Sequence, residues 1–289
     1  MLAWAAYLTV AVVWGSTFVA IAWAIESFTP FGLSAARFLP AGILALLVGR
    51  WRREALPRPG DLPRLALVGI LLLTVCMALI AWAETRVSSG VAATMAATVP
   101  MFLALLEPSG MDGRRWSGLG LGFLGVALLM WPSGASPDLL GCLVLAGSAL
   151  LWSLGTLCGR RDTSTAGHFS KVGVEMLTAG LLSLLLVPFT GGFTHSVPGP
   201  RSLAALAYLV LFGSIAAYSA YIHLTRVWDP AKAGTYAFWN PVVAILLGWS
   251  LRGEAFSAGM GTGLALILGG VGLVQLPLRR TVVPEEEPG

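Results

Sequence analysis

The sequence predicts an all-α membrane protein, with ten transmembrane helices arranged as two inverted five-helix repeats. Three observations carry this. Charged residues make up 11% of the 289 positions and hydrophobic ones 56%, whereas a soluble domain carries roughly 25% charged residues. Eight charge-free runs of nineteen residues or more stand at 1–25, 65–83, 87–106, 116–137, 139–159, 202–225, 233–251 and 255–278. Two further spans are interrupted by charge, roughly 30–49 by Arg37 and roughly 168–188 by Glu175, with Lys171 at the start of the second. Nineteen helical residues rise ~28 Å, close to the ~30 Å hydrocarbon thickness of a bilayer. The third observation is internal repetition. Thr85-Arg86-Val87 recurs as Thr225-Arg226-Val227, and Pro100 recurs 141 positions later as Pro241. At that offset Gly118, Gly120 and Gly122 fall on Gly259, Gly261 and Gly263. At an offset of 138, Trp14 meets Trp152, Arg37 meets Glu175, and Ala41-Gly42 meets Ala179-Gly180.

Along the chain, residues 1–137 form the first repeat, 138–280 the second, and 281–289 a short acidic tail. The first span lacks a basic segment before it and is expected to be retained rather than cleaved as a signal peptide. Short connections follow, several marked by Pro, Gly and Ser, as at Pro132 to Pro137 and Thr190 to Pro200. Five spans per repeat is odd, so the second copy enters the membrane from the opposite side and the repeat is inverted. Basic residues then set the orientation. Alternate connections and the tail hold fourteen of them, from Arg50 to Arg280, against Arg86, Arg201 and Arg252 on the other side. Both termini are therefore expected in the cytoplasm of a cell whose inner, or plasma, membrane holds the chain. The pI near 9.3 reflects these clusters and does not point to nucleic acid. Cys76, Cys142 and Cys158 lie inside spans, an odd count with no disulfide framework and no metal spacing.

The ninth span is interrupted at its centre. Pro241 has no N–H for the Ala237 carbonyl, and a broken helix at membrane depth is tolerated where it faces protein or a polar cavity. Pro100 does the same in the fourth span. A wheel at 100° per residue divides the ninth helix into three faces. Tyr236, Trp239, Asn240, Val243 and Leu247 share one, with the only Asn in the chain. Ala233, Ala237, Pro241, Ala244 and Gly248 form a small packing face, and Phe238, Val242, Ile245 and Trp249 a bulky one expected against lipid. In the fourth helix the positions matching the first face include Met95 and Thr98.

These residues carry a resemblance. Trp14-Gly15, Pro30 followed by Arg37, the prolines Pro100 and Pro241, and Glu254 before a Gly-rich last helix resemble the EamA-type exporters of the drug/metabolite transporter superfamily. The likeness covers nearly the whole chain. One departure is that the family's glutamate after the first proline helix is replaced by Gly113, beside Asp112. The resemblance implies a basket of helices around a central cavity, lined mainly by the first, third, fourth, sixth, eighth and ninth. It also implies export of amino acids or other small metabolites.

The expected substrate wall is Trp14, Met95, Thr98, Trp152, Tyr218, Tyr236, Trp239 and Asn240. Each has a plainer reading as packing or as an interface anchor, but Trp239 and Asn240 lie near mid-span, too deep for anchors. Arg37 and Glu175 each need a partner inside the membrane; packing is favoured for Arg37, while Glu175 is balanced between packing and proton or substrate work. Inverted symmetry puts Arg37 about 12 Å from the outer face and Glu175 about 10 Å from the inner one. Glu107 is expected to pair with Arg114 or Arg115 at the surface, and His223, near the cytoplasmic end, to act as an anchor.

The expected function is secondary export of a small organic metabolite, an amino acid or related amphipathic compound, by alternating access, without a cofactor. The partners are this solute and the bilayer, the chain being a monomer or weak dimer. A nucleotide-sugar carrier is the alternative, disfavoured because Lys171 and Lys232 lie near the membrane edge. An enzyme would need a catalytic motif such as HExxH or GxSxG, and neither occurs. A passive scaffold would have no use for two mid-span prolines.

Overall fold

Apolar runs of this length have no water to satisfy their backbone, so they close their hydrogen bonds internally as helices. The computed structural model describes residues 1–87, 89–130, 138–252 and 258–276, and helices account for most of them, with no strand. In chain order they are α1 (Leu2–Ala24), α2 (Pro30–Trp51), α3 (Pro59–Ala83), α4 (Ser89–Ala96), α5 (Val99–Leu106), α6 (Gly113–Met130) and α7 (Leu139–Arg160). Then follow α8 (His168–Phe189), α9 (Pro200–Val227), α10 (Pro230–Gly234), α11 (Trp239–Arg252) and α12 (Ala258–Gln275). Six of these, α1, α2, α3, α7, α8 and α9, are long and apolar enough to cross a membrane. Glu254, the connection at Pro132 to Pro137, Arg279, Arg280 and the acidic tail lie outside the described residues.

Local chemistry starts the helices. The Thr29 hydroxyl accepts from the Gly32 N–H with Pro30 as the first helical residue, and Asp138 and Asp229 accept from the Gly141 and Lys232 N–H groups. Both mid-span prolines stand just inside a helix start. Pro100 is the second residue of α5, after a turn at Ala97-Thr98, and Pro241 the third residue of α11, after a 3₁₀ turn at Thr235–Phe238. Two π-helical stretches, Ile70–Val75 in α3 and Leu209–Ala216 in α9, loosen the winding where each helix reaches the centre of the molecule.

Packing joins the two parts of the chain. On α2 and α8, Leu39 stands opposite Gly180, and Leu177 opposite Gly42; an added Cβ on either glycine would lie 2.8 Å from its leucine. Numbers rise on one helix as they fall on the other, so the two run antiparallel. The same holds for α6 and α12, where Gly118 meets Gly270 and Gly125 meets Gly263. Gly118 and Gly122 thus serve packing within the chain. Elsewhere α1 lies against α9 and α11, and α3 and α5 against α7.

Two sequence readings are corrected here. Phe238 and Val242 do not face lipid: they are 0% and 5% exposed, in a cluster with Leu119, Val126 and Ile267. The Phe238 ring fills the space that Gly122 leaves. The reason is the 3₁₀ turn, which advances about 120° per residue instead of 100° and so rotates the wheel by roughly 80° over four residues. Arg115, only 5% exposed, pairs with Asp229 at 3.3 Å rather than with Glu107.

Candidate functional site

A cavity of about 730 Å³ of atom-free space, open solvent included, lies between the two parts of the chain. Seven helical segments supply its wall: α1 with Trp14, Thr17, Phe18 and Ile21; α2 with Arg37 and Phe38; and α3 with Leu73, Met77 and Ile80. From the other side come Ser148 and Trp152 of α7 and Gly213, Ser214 and Tyr218 of α9, while Tyr236 and Asn240 come from the broken ninth span. The fourth span gives only Ala92, Ala96 and Val99.

One end of this cavity is aromatic. Trp14 and Trp152, 138 positions apart in the chain, meet edge to face with centroids 5.1 Å apart. Tyr221 and Tyr236 join them, each ring within 5.5 Å of the other or of Trp14. Both indoles are satisfied: Trp14 donates to the Gly213 carbonyl at 2.9 Å and Trp152 to the Tyr221 hydroxyl at 3.0 Å. Their rings are therefore fixed walls, apolar on the faces and spent at the nitrogens.

The polar groups are few. Asn240 is 2% exposed on the wall, and its Oδ1 has no hydrogen-bond partner. Arg37 Nε donates to the Ser214 hydroxyl at 2.7 Å, and Glu175 Oε2 accepts from the Tyr218 hydroxyl at 2.8 Å. The two membrane charges thus grip one helix, α9, at positions one turn apart. Thr17 and Ser148 turn their hydroxyls onto helix carbonyls, of Trp14 and Cys76.

Of the residues expected from sequence, the fold brings Trp14, Trp152, Tyr218, Tyr236 and Asn240 to this wall, with Arg37 among them. Trp239, Met95 and Thr98 are not on it. The Trp239 indole donates to the Tyr7 hydroxyl at 3.0 Å, in a polar knot completed by Thr235 and Gln275. Met95 packs with Phe18, Ala93 and Leu145. Thr98 bonds the Met95 carbonyl at 2.7 Å, taking up an acceptor where the proline interrupts the helix. Glu175 stands behind Tyr218, off the wall. Ser214 was missed by sequence reasoning; its one signal is the four-residue spacing to Tyr218, which puts both on one helix face. Among the described residues no group of three His, Cys, Asp or Glu side chains is placed to hold a metal.

The EamA-like transporter family matches residues 1–131 and again residues 139–276. The chain belongs to that family. It is 36% identical over 94% of its length to the uncharacterized inner membrane transporter YedA of Escherichia coli K12, of which 92% is covered. It is 26% identical to a chloroplastic WAT1-related protein of Arabidopsis thaliana, over 96% of this chain and 70% of that one. A protein crystal structure of 20% identity superimposes with a TM-score of 0.80, over 96% of this chain and 98% of the other, which bears on the fold alone. The protein is thus a membrane transporter of the EamA type.

Proposed function

We propose that this transporter exports a small amphipathic metabolite, an amino acid or a near relative, across the inner membrane by alternating access. Residues 1–137 and 138–280 act as two inverted five-helix repeats, ten spans in all with both termini cytoplasmic, rocking about the cavity. Support for the inversion comes from the antiparallel pairs α2/α8 and α6/α12, in which the contact Leu39–Gly180 becomes Leu177–Gly42 when the halves are exchanged. Support for the inner membrane comes from the name of the Escherichia coli relative.

One observation carries the substrate reading: Asn240 offers a buried, unpartnered carbonyl oxygen to a cavity walled mainly by rings and aliphatic groups, whose Thr17, Ser148 and Ser214 hydroxyls are already engaged. An unsatisfied polar atom at that depth calls for a partner, and on a cavity wall a solute would supply one. A nucleotide sugar would ask for several cations on the wall. Arg37 is the cation there, and Lys171 is committed to Asp162 at 2.7 Å.

The test is flux in proteoliposomes loaded with single amino acids, preceded by a binding screen against amino acids and nucleosides. Saturable movement of an amphipathic amino acid, with its apparent affinity weakened by Asn240→Ala, is the expected result. Binding of nucleosides alone would replace the reading, and absence of any amino-acid flux would refute amino-acid export. Orientation has its own test: a cysteine at Gly192 should react with an impermeant maleimide from outside, and one at Arg58 should not.

A further inference from the structure

Arg37 is 6% exposed, and its guanidinium lies on the cavity wall with little to hold it there. Five N–H donors need acceptors. Nε has the Ser214 hydroxyl, and Nη1 has only the weak Met77 sulfur at 3.9 Å. Nη2 lies 3.1 Å from where a Cβ on Gly213 would stand, so the missing side chain leaves it room. The Phe38 ring, 4.9 Å away, covers one face. Among the described residues no carboxylate is within ion-pair distance of Arg37, and Glu175 is engaged by Tyr218 instead.

A guanidinium kept only for packing would be expected to close on a carboxylate or on helix carbonyls, because an uncompensated buried charge is strongly disfavoured. This one has its free edge at a cavity. What completes it is a planar oxyanion, which takes two parallel N–H bonds from the fork. With one cation on the wall among the described residues, the solute needs one such group, and the apolar surface of Trp14, Trp152, Phe18 and Ile21 calls for a hydrophobic body behind it.

We infer that Arg37 is the anion site of this cavity, binding the carboxylate of a monocarboxylic solute whose apolar part lies against the tryptophan rings. Where the solute also has an amino group, Asn240 Oδ1 is its acceptor. This inference rests on the transport reading of the cavity and narrows it.

The test compares phenylacetate, hexanoate and phenylalanine with the corresponding primary amides, by their effect on the thermal unfolding of the purified full-length protein in detergent. The acids should raise the unfolding temperature more than the amides. In R37Q the apparent affinity for the acids should fall at least about tenfold, with the amides unchanged. R37K, which keeps the charge and loses the fork, should fall between. Without solute, R37Q should unfold at or above the wild-type temperature, because it loses an unpaired charge; a purely structural arginine would lower it. Equal stabilisation by acids and amides, retained in R37Q, would overturn the anion site and leave the cavity as a transport site. Absence of any shift from either series would also overturn it, while the flux assay decides separately on transport. Should R37Q not fold, the acid and amide series on the wild-type protein decides alone.

Discussion

The fourth and ninth spans are broken by the same device, and the two breaks do different things. At Pro100 the chain makes a two-residue turn and shows the cavity only Ala92, Ala96 and Val99. At Pro241 it makes a 3₁₀ turn and shows Tyr236 and Asn240. At the 141-residue offset, Val99 corresponds to Asn240, Met95 to Tyr236 and Ala97 to Phe238. Val99 and Asn240 both reach the wall, and Ala97 and Phe238 both belong to one buried cluster. Placement is repeated at these two pairs, though not at Met95 and Tyr236, while the chemistry is carried on one side. A repeated scaffold leaves one copy free to be small beside the polar copy.

Breaking the packing member of these pairs should have the largest effect. Phe238→Ala should cost about 3–5 kcal/mol, because a fully buried ring leaves a cavity against Gly122. Thermal unfolding in detergent would read it as a marked drop, and a near-neutral result would mean the ring is not buried as described. Ala97→Gly, at the corresponding position, should cost far less.

Next comes the polar member. Asn240→Ala should weaken substrate binding by about 5- to 150-fold, the equivalent of ~1–3 kcal/mol for one lost buried partner. Adding Val99→Asn to Asn240→Val moves the amide to the other half, and binding should not return. Recovery would mean that the two walls are interchangeable, and the contrast drawn above would fail.

Smaller still is Trp239→Phe, which removes the donor to Tyr7 away from the cavity. It should lower stability by about 0.5–1.5 kcal/mol with substrate affinity unchanged. An affinity loss matching that of Asn240→Ala would bring Trp239 back to the wall. The smallest effect is expected of Glu175→Gln, since the amide oxygen still accepts from Tyr218. The pH profile of flux should stay as in the wild type, and its loss would make Glu175 part of a proton path.

Much of this was legible in the chain. Helix ends follow from Pro30, Asp138, Pro200 and Asp229, whose effect on the next few residues is local. Trp14 and Trp152 could be paired by offset alone, because a repeat preserves position. Met95 and Thr98 misled because their match to the ninth span presumed one continuous helical period on both sides of the turn.

By itself the sequence determined an all-helical chain with long apolar spans, the positions of its two proline breaks, and a pattern written twice. Those are properties of covalent structure and of hydrophobic runs, which act over a few neighbours. Only the tertiary structure decided which face of the broken ninth span meets the cavity, sending Asn240 inward and Trp239 to Tyr7. It also decided that Arg37 and Glu175 do not meet but hold Ser214 and Tyr218. The physical reason is distance along the chain. Arg37 and Ser214 are separated by 177 positions, and whether they touch depends on how a whole helix is rotated against its neighbours. A single turn of different pitch changes that rotation, and a wheel of constant pitch does not contain it.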